Sequence, residues 1–87
     1  MATTTLLSDE LFMQFVKLDT RDGTRFVKRI ENTNIFILQD TTGSLYRDGC
    51  GDKPDLYSCW EYYSDDRVCI RCIGSGYETE QAATANL

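Results

Sequence analysis

The chain has 87 residues, 41% of them hydrophobic, so it makes one domain with a real core, in the size range where a single core is marginal. Its net charge of -5 repels phosphate backbones and disfavours direct nucleic-acid binding; its lack of histidine removes the usual general base and nucleophile activator. No stretch approaches the roughly 20 apolar residues that span a membrane, so no membrane partner is expected.

Residues 1–10 are Thr-rich at the start and are expected to be flexible. They carry no basic segment followed by an apolar run, so they do not read as a secretory signal, and a cytoplasmic, intracellular protein is expected. Ser8, followed by Asp9 and Glu10, is placed to cap a short helical turn. Residues 11–18 hold Phe12, Phe15 and Val16, which fit a strand or a short helix equally well.

Asp22-Gly23 is a hairpin turn signal. After it, residues 24–31 read as a half-buried strand, with Phe26, Lys28 and Ile30 on one face and Arg25, Val27 and Arg29 on the other. Asn32-Thr33-Asn34 marks a turn. Residues 35–38, Ile-Phe-Ile-Leu, suit a central strand, and residues 44–47 a short one. Residues 48–55 are a loop with Pro54, the only proline. Residues 56–63 form an aromatic strand, 64–66 a turn, 67–73 its partner, and Gly74-Ser75-Gly76 its end.

The sum is a mainly β fold, a small antiparallel barrel or curled sheet of about five or six short strands, with one short N-terminal helix as an option. The domain is expected over 11–76, with 77–87 a flexible tail.

The second half holds Cys50, Cys59, Cys69 and Cys72. A Cys-x2-Cys pair on a tight turn points two thiolates at one tetrahedral zinc, and the glycine two residues after Cys72 suits such a turn. The favoured arrangement is therefore one structural zinc on all four cysteines. If 68–73 is a flat strand instead, Cys69 and Cys72 face opposite ways and share no metal. A hairpin pivoting on Ser64 would then set Cys59 opposite Cys69, as buried free thiols or a disulfide. A thioredoxin-like role is weak, because the motif lies in a β-rich segment instead of at a helix N-terminus.

Tyr57, Trp60, Tyr62 and Tyr63 crowd one strand. Trp60 and Tyr62 share a face with Leu56 and read as core; Tyr57 and Tyr63 read as exposed. With Glu61, Asp65 and Asp66 they make an acidic, aromatic candidate surface for a protein partner, a basic or nucleic-acid-binding protein being the natural complement. Lys17, Arg25, Lys28 and Arg29 make an alternative basic surface, which matches the acidic half internally or serves a nucleic-acid accessory role. Asp48, Asp52 and Asp55 lack the spacing of a calcium loop. The expected function is a non-enzymatic interaction module, an inhibitor or regulator of a larger partner. A small-ligand or nucleotide-binding β-barrel, oligomeric in some form and lined by Tyr57, Trp60 and the first-hairpin arginines, is the alternative.

Overall fold

The computed structural model describes residues 6–20, 23–41, 56–64, 67–85 and 87. Among them the order is α1 (Asp9–Asp19), β1 (Thr24–Arg29), β2 (Ile35–Asp40), β3 (Tyr57–Ser64), β4 (Val68–Tyr77) and α2 (Glu80–Ala85).

The ambiguous segment is a helix. The Ser8 hydroxyl accepts the Leu11 N–H at 3.2 Å, Asp9 and Glu10 sit in the first turn, and Lys17 in the last, each the favourable sign for the helix dipole. Phe12 and Val16 are buried and Phe15 packs beside them. A strand would turn Phe15 away from the other two; the helical stripe gathers all three.

The four strands form one antiparallel sheet in the order β1-β2-β3-β4. Among the described residues it does not close into a barrel. Residues 11–18 supply α1 instead of a strand, and 44–47 lie outside the described residues. α1 covers one sheet face, which removes the need for closure. Gly23, at φ 90, is not a hairpin turn; it links α1 to β1 and its carbonyl accepts the Thr41 N–H at 2.7 Å. The β1–β2 turn is built at Asn32, at φ 60, and at Thr33, whose hydroxyl donates to the Ile30 carbonyl at 2.7 Å and accepts the Ile35 N–H at 3.1 Å.

Both outer strands are bulged. The register slips between Phe26 and Lys28 in the β1–β2 ladder, and twice in the β3–β4 ladder, where Trp60 faces Cys72, Cys59 faces Gly74 and Tyr57 faces Tyr77. The first bulge breaks the alternation expected for 24–31. Lys28 pairs with Ile37, while Arg29 pairs with Phe36 on the α1 side. β4 does not stop at Gly74; it runs on to Tyr77, and a β-carbon at Gly74 would collide with the Tyr77 hydroxyl.

Two clusters sandwich the sheet. On the α1 side, Phe12, Val16, Phe36, Leu38 and Tyr62 are buried, with Trp60, Val68 and Ile70 against them. Phe12 meets Phe36 and Tyr62 edge-on at 5.6 and 5.5 Å, and Phe36 stacks on Tyr62 at 5.1 Å. On the other side lie Ile37, Cys59 and Ala83, edged by Val27, Ile30, Tyr57 and Tyr77. The C-terminal residues expected as a tail thus contribute a helix, capped by Thr79, whose hydroxyl accepts the Ala82 N–H at 3.0 Å. No helix among the described residues is long and apolar enough to cross a membrane.

Candidate functional site

β2 and β3 pair in unbroken register, so Ile35, Ile37, Cys59, Glu61 and Tyr63 share the sheet face away from α1. α2 is six residues long and covers only the Ile37–Cys59 part of it. Among the described residues, no helix lies on the part nearer the β3–β4 turn. There one rung runs Ile35, Glu61, Arg71 across three strands, and the next sets Tyr63 opposite Cys69.

Charge and aromatic surface are organised within these rungs. Arg71 donates from Nε and Nη2 to Glu61 Oε1 at 2.9 and 2.6 Å, and its guanidinium lies 5.0 Å from the Tyr63 ring centroid. The Arg71 side chain keeps 57% of its surface in water and Glu61 only 20%, so the pair presents the arginine outward. A shallow hollow of about 210 Å³ adjoins it, lined by Leu6, Asn32, Thr33, Asn34, Ile35 and Glu61.

The expected acidic, aromatic surface is therefore only partly assembled. Glu61 and Tyr63 are neighbours in it, but Tyr57 is half-buried against the α2 cluster. Asp65 and Asp66 lie outside the described residues. Arg71, Ile35 and Cys69 complete the patch. Arg71 and Cys69 are missed from sequence because a hairpin pivoting on Ser64 pairs β4 differently, and Ile35 because the β2–β3 register is not written in either strand alone. The ladder starts at Ser64 opposite Val68, which centres it two residues later and brings Arg71 to Glu61.

The same shift corrects the cysteines. Cys59 faces Gly74, and Cys69 faces Tyr63, so Cys59 and Cys69 are not opposite each other. The ladder from Val68 to Cys72 is regular, so Cys69 and Cys72 point to opposite faces. Cys59 is fully buried, with its sulfur 3.6 Å from the Ala83 carbonyl, whereas Cys69 is half-buried and Cys72 exposed; Cys59 and Cys69 are free thiols. Burial first, and the nearby Cys72 second, push the Cys59 thiol pKa up. Cys50 lies outside the described residues, and among those described no three histidine, cysteine or acidic side chains are grouped to hold a metal ion.

The expected basic surface is dispersed. Lys17 is exposed on α1, and Arg25 is exposed beside β2, donating to Gln39 at 3.0 and 3.1 Å. Lys28 approaches Glu80 of α2 at 3.8 Å. Arg29 is on the other face and is structural: it lies 4.1 Å from the Phe12 ring centroid and donates to Asp9, to the Leu7 and Thr33 carbonyls and to Asn34. Arg25 and Lys28 share the face away from α1, whereas Arg29 is on the α1 side and Lys17 on the helix, so the four are split between the two sides of the sheet.

No protein-family model matches the chain, and neither the curated proteins nor the solved structures give a match.

Proposed function

We propose that this chain is a protein-interaction module that docks a larger protein through the part of its sheet that α2 leaves open, with Tyr63 and Arg71 as anchors and Glu61 orienting the arginine. The observation that carries this reading is the exposed Arg71, held by the half-buried Glu61 and Tyr63 beside Ile35, on a face that α2 covers only in part. Tyrosine and arginine are the residue types that most often dominate binding energy, and here both are held by contacts already made, which lowers the ordering cost of docking. The net charge of -5 favours a partner that is basic overall, with an acceptor group facing the outward Arg71, and binding of such a partner would restrain that partner's own activity. The test is affinity capture from cells that contain the partner, quantified against variants. Tyr63→Ala and Arg71→Ala should each weaken capture of the same protein by roughly tenfold or more, while Lys17→Ala should not. Equal capture by all three variants would refute the docking surface.

A further inference from the structure

α2 is shorter than α1 and buries less side chain, although its backbone lies close on β3 and β4. It has six residues, below the length at which a helix persists alone, and it buries one side chain, that of Ala83. Its side-chain ion pair, Lys28 to Glu80, spans 3.8 Å between groups that are 42% and 41% exposed, a geometry that holds weakly. α1, by contrast, buries Phe12 and Val16 in the aromatic cluster. Beneath α2 lie Ile37 and Cys59, both with no surface in water, edged by Tyr57 and Tyr77. Ile37 and Cys59 lie two residues along their strands from Ile35 and Glu61, and so share one face with them.

We propose that α2 is a displaceable cover: it lifts off as a unit while the sheet and α1 stay folded, uncovering an apolar strip continuous with the open rung. The docking surface thus has a short form and an extended form. The partner that fits the extended form sets apolar side chains on Ile37 and brings an acid that takes Lys28 over from Glu80. The use of the strip rests on the interaction reading above; the lifting of α2 does not.

Cys59 is the built-in reporter, because its sulfur touches the Ala83 carbonyl and nothing reaches it while α2 is seated. The experiment takes the full chain with Cys50, Cys69 and Cys72 each changed to Ser. It follows labelling of Cys59 by an aromatic disulfide reagent at mildly alkaline pH, across urea concentrations below the unfolding transition. The expected result is labelling that outruns global unfolding and barely depends on urea, the signature of a small local opening. Ala83→Asp in the same background should raise that rate by about tenfold or more, with the Trp60 fluorescence transition retained. Labelling that follows the steep urea dependence of global unfolding overturns the proposal, and that measurement on the chain with Ala83 intact decides even where Ala83→Asp fails to fold. Tyr63→Ala tests the docking reading separately: it should lower partner capture and leave Cys59 labelling unchanged, so the two ideas can fail independently.

Discussion

Arg29 shows how a surface-looking cation becomes part of the scaffold. By sequence it groups with Lys17, Arg25 and Lys28, since the pattern of residues 24–31 does not set it apart from Arg25 and Lys28. The bulge before Lys28 sends Arg29 to the α1 side, where its side chain is only 15% exposed and its fork ties the residues before α1 to the β1–β2 turn. The local rule of alternation could not foresee that, because one inserted residue reverses it. Arg29→Ala should cost about 2–4 kcal/mol in urea unfolding, from lost charged hydrogen bonds and the lost contact with Phe12. Arg29→Lys should recover little of this, since an ammonium cannot reproduce the fork. Asp9→Ala should cost well under about 1 kcal/mol, because the Asp9 side chain is 96% exposed and its bond to Arg29 competes with water.

At the scale of elements, the strands were the legible part. Residues 24–31, 35–38, 56–63 and 67–73 all fall on β1 to β4, because β-branched and aromatic runs between turn signals carry local information. The helices were harder. Phe12, Phe15 and Val16 suit either period until the Ser8 cap is known to be made. The Ala-rich segment of α2 has no apolar stripe, and its helix leans on the far side of the sheet through Ala83. The candidate site was half legible, through Glu61 and Tyr63; the rest depended on a register in which a two-residue error in the turn centre moves every β4 partner by four residues. β4 also bears on the zinc expectation. An extended strand from Val68 to Cys72 sends two of the four expected ligands to opposite faces. A native mass spectrum of the reduced protein should therefore show the metal-free chain, and a chelator should leave the far-ultraviolet circular dichroism unchanged. One stoichiometric zinc would mean that β4 rearranges around Cys69 and Cys72.

For the molecule as a whole, each side of the sheet encloses one weak acid that must keep its proton. Burial and the 2.6 Å hydrogen bond that Tyr62 donates to Asp19 hold the phenol well above its ordinary value of 10.0. Burial does the same to the Cys59 thiol, whose ordinary value is 9.0. In the unfolded chain both groups release their protons at those ordinary values, so above them the folded state binds more protons and stability falls with rising pH. Urea midpoints should be flat with respect to these groups below about pH 8 and should drop as pH passes about 9 and then about 10. Cys59→Ala should remove the first part of the decline and Tyr62→Phe the second, each at some cost in stability at neutral pH. An unchanged slope in both variants would show that other groups set the alkaline limit.

The bulges in β1 and β4 have a consequence for how copies of this chain meet in concentrated solution. A sheet can recruit further strands only along an outer strand with a straight run of free backbone groups. Here β1 is kinked at Val27 and β4 beyond Cys72, and the straight remainder of β4 carries Arg71. A neighbouring copy laid along either margin finds few backbone partners in step before the register fails. Lateral growth into a fibril is thereby starved at both borders, and a chain rich in exposed strand surface can crowd without polymerising.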